Sequence, residues 1–374
     1  MGLDRSFGLD VDPPGAGATT DQSFWSARRV LVTGHTGFKG GWLSLWLQVL
    51  GAEVTGLSLG VPTTPSLYEL ARVSDGMSAE VEADIRDCQA VDEAIGRLNP
   101  DIIIHMAAQP LVRLSFEQPR ETFHTNVMGT VNVLDAARRA PALRAIVNVT
   151  SDKCYENHSW EWGYRESDPM GGHDPYSSSK GAAELVTSAY RRSFFSDPGG
   201  PRLASARAGN VIGGGDWGAE RLVADVVRAG LAGRTLHVRN PGAVRPWQHV
   251  LNPLSGYLLL ARRMWDCAAL ADGWNFGPED ADAISVAELV ERTRALWGNK
   301  PDWTHDPGPH PHEAHHLKLD SSRARARLRW SPPVTLPTAI QSTVAWYDAY
   351  SAGEDMRAVT IDQIERLTAS GNNT

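Results

Sequence analysis

The chain has 374 residues, 42% hydrophobic and 21% charged, an ordinary globular composition with ample material for a core. A net charge of −8 without a basic block argues against nucleic-acid binding, and no apolar run is long enough to span a membrane. The three cysteines, Cys88, Cys154 and Cys267, are scattered and odd in number, which fits neither a disulfide framework nor a zinc spacing and points to a reducing, cytoplasmic compartment.

The first residues are rich in Gly, Asp, Pro and Thr and lack the apolar core of a signal peptide. Residues 1–24 therefore read as a disordered tail. Arg28 to Gly34 is a short apolar run ending in glycine, the pattern of a first parallel strand. The turn Gly34, His35, Thr36, Gly37, Phe38, Lys39, Gly40 follows, and then Trp42 to Leu50, helical in composition and apolar nearly all round. Strand, glycine turn and helix together make a pyrophosphate cradle, because free N–H groups and the helix dipole meet the anion there. The glycine spacing alone is weak, since any tight turn uses glycine.

Glu53 to Leu59 reads as the second strand, Ala79 to Asp84 as a more polar third and Asp101 to Ala108 as the fourth. Pro119 to Ala140 has helical periodicity, Ala145 to Val149 is a fifth strand and Leu203 to Arg207 a sixth. Strands alternating with helices imply an α/β, Rossmann-type, doubly wound parallel sheet, with ligands beyond the strand C-termini. The second strand ends at Ser58 without the acidic residue that would hold an adenosine ribose. Lys39 and Arg72 are the cations available for a 2′-phosphate, so NAD is the expected cofactor. Asp84 and Ile85 reach the adenine edge, unless Asp84 only caps a helix.

After Gly209 the pattern changes. Val211 to Gly218 is a glycine-rich loop, Glu220 to Leu231 a helix and Thr235 to Arg239 a strand. Asn252 to Met264 and Gly273 to Gly277 return to the sheet, while Ser285 to Trp297 and Val334 to Tyr350 are helical. The expected organisation is a cofactor domain over 25–208, rejoined by 250–278, and a smaller interleaved C-terminal substrate-binding lobe over 209–249 and 279–374. His312-Glu313-Ala314-His315-His316 matches a zinc-protease pattern, but the prolines just before it preclude the helix that pattern needs; no metal is expected. Arg221, Arg239 and Arg245 suit a diphosphate or, read plainly, solvated surface. Trp160, Trp162, Trp217 and Trp247 sit in polar stretches, where they stack on a ligand or fill core.

The chemistry concentrates in two places. Ser151, Asp152 and Lys153 stand where the fifth strand ends, a hydroxyl, a carboxylate and an amine together. Tyr176 and Lys180 share one face of a helix, and an ammonium close to a phenol lowers the phenol's pKa.

Gly34-x-x-Gly37-x-x-Gly40, Thr125-Asn126-Val127 and Tyr176-x-x-x-Lys180 resemble the extended short-chain dehydrogenase/reductase superfamily. Thr150 to Tyr155, Arg207 to Trp217 and Arg245 to Val250 resemble its CDP-glucose 4,6-dehydratase branch. The likeness runs from about residue 28 to about residue 350. It implies that Ala107, Ala108, Gln109, Asn126 and Thr150 join the glycine turn, Tyr176 and Lys180 around NAD. It implies that Gln109, Arg113, Ser151, Asn210 and His312 join the three arginines around CDP-glucose. Tyr176 would be the base at the 4-hydroxyl, with Ser151 bonded to the same oxygen, and Asp152 the acid for the departing 6-hydroxyl. Lys153 occupies the place of a glutamate base in the thymidine-nucleotide dehydratases. An ordinary lysine is protonated at neutral pH, so Lys153 acts as base only if desolvated or set against another cation such as Lys180; otherwise it stabilises the enolate. The resemblance also implies a homodimer or homotetramer through a four-helix interface near Pro119–Ala140 and His173–Phe195. The alternatives are a sugar-nucleotide epimerase, a dehydratase of another nucleotide sugar, or a non-catalytic dinucleotide sensor. The sensor has no use for the Tyr176 and Lys180 pair, and the epimerase has none for Asp152.

Overall fold

A computed structural model describes residues 21–298, 300–308 and 316–369. Six β-branched or apolar runs form parallel strands: β1 Arg29–Thr33, β2 Glu53–Ser58, β3 Ala79–Glu82, β4 Ile102–His105, β5 Ala145–Val149 and β6 Arg202–Arg207. With an edge strand at Gly273–Asn275 they make a seven-stranded sheet in the order edge, β6, β5, β4, β1, β2, β3. The strand order reverses between β1 and β4, where Thr33 pairs with His105. A crevice opens at such a reversal.

The helix Phe38–Val49 follows β1 and buries every residue from Gly40 to Leu47, as its all-round apolar composition requires. It lies between the sheet and the C-terminal helix Met356–Ala369. Two of its leading glycines have steric reasons. Gly34 has φ +75° and a Cβ there would fall 2.8 Å from the Ala107 nitrogen; a Cβ on Gly40 would fall 2.1 Å from the Gly34 carbonyl oxygen.

Two expectations are corrected. Residues 22–24, assigned to the tail, belong to a helix Gln22–Trp25. Its Phe24 and Trp25 are buried, Phe24 lying edge-on to Trp265 and under the Arg262 guanidinium, so its aromatic pair anchors it despite the polar sequence before it. The helix expected from Pro119 to Ala140 is interrupted. Pro119–Phe123 gives way to a π turn, His124–Met128, before α-helix resumes over Gly129–Ala137. The Thr130 hydroxyl back-bonds to the Asn126 carbonyl at 2.7 Å while the Asn126 side chain is drawn across to Gln109, and the wider turn accommodates both.

The second lobe rests on three two-stranded ladders and on helices Leu222–Leu231, Val286–Leu296 and Leu336–Ser351. The first of these begins at Leu222, two residues later than the sequence pattern suggested, with Arg221 at its N-cap position and no side-chain cap bond. The segment Leu317 to Asp320, which alternates like a strand, contributes a single bridge, Leu319 to Tyr164. Of the histidine pattern at 312–316, residues 312–315 lie outside the described residues, while His316 forms a bridge with Val244 and its carbonyl oxygen accepts from the Asn157 side chain.

Candidate active site

A cavity of about 1480 Å³ runs from the β2–β3 end of the crevice, past the glycine turn, to the second lobe. Its middle is built by two short stretches. After β5 the chain makes one 3-10 turn, Asp152–Cys154, capped by the Ser151 hydroxyl. Across from it begins the helix Pro175–Ser193, with proline in its first turn and Asp174 as cap, accepting from the Ser177 N–H at 2.9 Å and its hydroxyl at 2.6 Å. The Tyr176 N–H donates to the Ser115 hydroxyl at 3.1 Å, which fixes the start of the helix. Ser151, Asp152, Lys153, Tyr176 and Lys180 all reach the cavity wall.

The electrostatics depart from the expected pattern. Burial pushes Tyr176 up to about 12; the Ser151 hydroxyl opposes this, the Asp152 charge adds to it and Arg221 opposes it. Lys180 is not among the groups that act on it, and the phenol is raised rather than lowered because desolvation of the phenolate outweighs Ser151 and Arg221. Burial also lowers Lys180 to about 8, opposed by Cys154 and Glu184. Lys153 is set against a carboxylate, its Nζ 3.5 Å from Asp152 Oδ1, and not against the second amine that a basic Lys153 required. That arrangement occurs instead at Lys39. Its Nζ donates to the Tyr257 hydroxyl at 3.0 Å, and burial, then the Lys180 and Arg221 charges, bring it down to about 7, with Asp152 opposing. Asp152 is 1% exposed, with Oδ1 accepting from Ser151 at 3.0 Å. Its Oδ2 is buried and has no hydrogen-bond partner among the described residues, so its hydrogen-bonding capacity is unmet.

At the dinucleotide end, Gly34, Thr36, Gly37, Phe38, Lys39 and Gly40 line the cavity, as do Ser58, Asp84, Ile85, Ala107, Ala108, Gln109 and Thr150. His35 and Asn126 do not. His35 is buried against β2 with Nε2 2.9 Å from Glu80, a partner supplied by the neighbouring strand. Asn126 accepts from the Gln109 N–H at 2.8 Å and donates to the Ser179 hydroxyl at 2.8 Å, so it ties the loop after β4 to the tyrosine helix from behind the wall. Neither cation expected to serve a 2′-phosphate is placed for it: Lys39 points toward the catalytic cluster, and Arg72 pairs with Asp355 at 2.8 Å. Arg86, missed in the sequence, does line that end, but it is held by Asp84 and Glu121, each at 2.6 Å. Its proximity to Asp84, two residues away, was the available signal.

On the second-lobe side Arg113, Asn210, Arg221, Arg239 and Arg245 line the cavity, and His312 lies outside the described residues. Arg221 is oriented by Asp216 through two contacts of 3.2 and 3.0 Å. Arg113 reaches Glu220 at 3.1 Å and so bridges the two lobes. Trp217 and Trp247 face the cavity, whereas Trp160 tilts onto Tyr164 and Trp162 is exposed.

A reversal crevice with a glycine cradle, beside a tyrosine and a lysine one helical turn apart, is the arrangement of an extended short-chain dehydrogenase/reductase. A family model described as GDP-mannose 4,6 dehydratase matches residues 31–343, and the chain belongs to that family. Within it the chain is 52% identical over 341 residues to the CDP-glucose 4,6-dehydratase of Salmonella typhimurium, covering 90% of this chain and 95% of that one. It is 28% identical to a UDP-glucose 4-epimerase of Mycolicibacterium smegmatis over 85% of this chain and 98% of that one. Among solved structures it superposes on Thermus thermophilus UDP-glucose 4-epimerase in complex with NAD, with TM-score 0.73 and 25% identity, covering 84% and 97% of the two chains. The fold also matches the dTDP-glucose 4,6-dehydratase of Streptomyces venezuelae, with TM-score 0.74 and 24% identity, over 88% of this chain and 99% of that one.

Proposed function

We propose that the protein converts CDP-glucose to CDP-4-keto-6-deoxyglucose and water, as an NAD-dependent hydro-lyase. The observation that carries this reading is Asp152, with its Oδ2 unpartnered among the described residues, lining the same cavity as Tyr176 and Lys180. Oxidation alone needs only the pair, whereas removing a 6-hydroxyl also needs an acid.

The residues fit the dinucleotide. The cradle admits no Cβ at Gly40, the helix that begins after Gly37 has no side-chain cap at its N-terminus, and the adenosine end carries a cation already neutralised by Asp84 and Glu121. This favours NAD over its 2′-phosphorylated form. Held by the glycine turn and by Ala107, Ala108 and Thr150, NAD would supply a reversible hydride acceptor for C4 of the sugar and donor to C6, with no net redox change. Tyr176 takes the proton from the 4-hydroxyl once the positive charge of the bound nicotinamide offsets the burial that raises its phenol in the free protein, and Ser151 hydrogen-bonds the same oxygen. The resulting 4-ketone acidifies the proton at C5, which passes to solvent water as the C6–O bond breaks. Asp152 delivers a proton to the leaving 6-hydroxyl through Oδ2. Lys153, beside Asp152, faces the developing enolate as a cation. Arg113, Arg221, Arg239 and Arg245 hold the diphosphate from the second lobe.

The test is incubation with NAD and CDP-, dTDP-, UDP- and GDP-glucose in parallel, reading product mass. Loss of one water from CDP-glucose supports the reading. An unchanged mass with an altered sugar indicates epimerisation, and tight NAD binding without turnover indicates a sensor. We also propose a homodimer or homotetramer in the cytoplasm. Phe123, Met128, Leu185 and Phe194 are exposed on the helices expected to pair, and the three cysteines are unpaired. A monomer by light scattering would overturn the first part.

A further inference from the structure

Behind the cavity wall lies a buried ion pair that the chemistry above does not use. Glu184 follows Lys180 by one turn on the tyrosine helix, and Arg207 is the last residue of β6. They meet at 2.7 Å and are 3% and 4% exposed. Removing two charges from water costs more than such a pair commonly returns, so a pair this deep is weak support for stability alone.

Its connections indicate what it does instead. Glu184 accepts from the Thr150 hydroxyl through Oε1, and from the Ser205 hydroxyl at 2.7 Å and Arg207 through Oε2. Arg207 donates its other terminal nitrogen to the Tyr155 hydroxyl at 2.6 Å and lies over the Tyr155 ring. Tyr155 donates in turn to the Asn275 side-chain carbonyl oxygen at 2.7 Å, on the edge strand. Thr150 and Tyr155 are the two residues that flank Ser151–Cys154. The turn carrying the serine, the acid and the lysine is therefore held at both ends by one pair, whose carboxylate grows from the helix that carries Tyr176 and Lys180.

We propose that Glu184, with Arg207, is a positioning residue that sets the spacing between the Tyr176–Lys180 helix and the Ser151–Lys153 turn. This rests on the dehydratase reading for its consequence in turnover, but the clamp itself is a property of the fold. The Glu184 charge also faces Lys180, as do Cys154 from the turn, Lys39 from the glycine-loop helix and His105 from β4; only Glu184 and Cys154 favour the ammonium.

The variant Glu184→Gln with Arg207→Met removes both charges at once and leaves neither unpaired. The folded variant should lose about a hundredfold in kcat with a much smaller change in KM, the effect of shifting reacting groups by about 1 Å. The alkaline limb of its pH profile should move to lower pH, because Lys180 loses a charge that favours its ammonium. Amide exchange over 152–155 should accelerate. A folded variant with wild-type kcat, pH limb and exchange would overturn the proposal. Should the double variant fail to fold, Glu184→Asp keeps the charge and shortens its reach to Thr150: about a tenfold loss of kcat with an unmoved pH limb is expected, and full kcat would overturn the proposal. If wild-type protein turns over no nucleotide sugar, the dehydratase reading fails, and amide exchange still decides whether the clamp holds the turn.

Discussion

The two halves of the site are held in different ways. Tyr176 and Lys180 ride one 19-residue helix with a proline start, an aspartate cap and two basic residues in its last turn. Ser151, Asp152 and Lys153 ride a three-residue 3-10 turn whose order comes from outside it. The first half has its own caps, helped by Ser115 and Asn126 from elsewhere in the chain. The second has no regular element of its own beyond one turn and depends on Glu184, Arg207 and Asn275. The tyrosine helix is thus mainly locally specified, and the turn mainly specified from outside.

The largest effect that tests this contrast is at Tyr176. Tyr176→Phe should lower turnover by about a thousandfold or more while NAD binding stays near wild type, since the helix keeps its caps and loses only the proton acceptor. Retained turnover in steady-state assays would remove Tyr176 from the chemistry. Next is the elimination half. Asp152→Asn and Lys153→Met should each permit C4 oxidation and stall the loss of water, with reduced cofactor accumulating in the absorbance trace and turnover down about a hundredfold. A normal rate in the Lys153 variant would make that amine a bystander.

A smaller effect concerns the buried amines. Lys39 and Lys180 have folded pKa values of about 7 and 8, below the ordinary lysine value of 10.5. Between those limits the unfolded chain holds protons that the folded chain has released, so stability of the free protein should rise with pH from about 7 toward 10.5. Lys39→Met should flatten that rise from its lower end, as read by thermal midpoints across pH. An unchanged slope would show that Lys39 does not contribute to it. Smallest is the bridge between lobes. Glu220→Gln removes one partner of Arg113, a partly exposed contact, and should cost about 0.5 kcal/mol of stability with at most a few-fold rise in KM.

Much of the first half was legible from local pattern. The all-apolar run Trp42 to Leu50 had to be buried, and Tyr176 and Lys180 had to share a helical face. What escaped depends on depth and distance. The direction of the Tyr176 shift turns on how far the phenol is from water, which spacing does not reveal. His35 turned inward because Glu80, 45 residues on, supplies its partner. Asn126 became scaffold because a π turn aims it at Gln109. Lys39 looked like a phosphate ligand until Tyr257, 218 residues away, drew it toward the catalytic cluster.

The most direct measurement follows the hydrogen at C4. CDP-glucose carrying deuterium at C4 is incubated with the wild-type protein and NAD, and the product is read by mass and by NMR at C6. The mechanism predicts loss of one water with deuterium recovered at C6 and solvent hydrogen at C5. Product that has lost no water, or that carries no deuterium at C6, would contradict it.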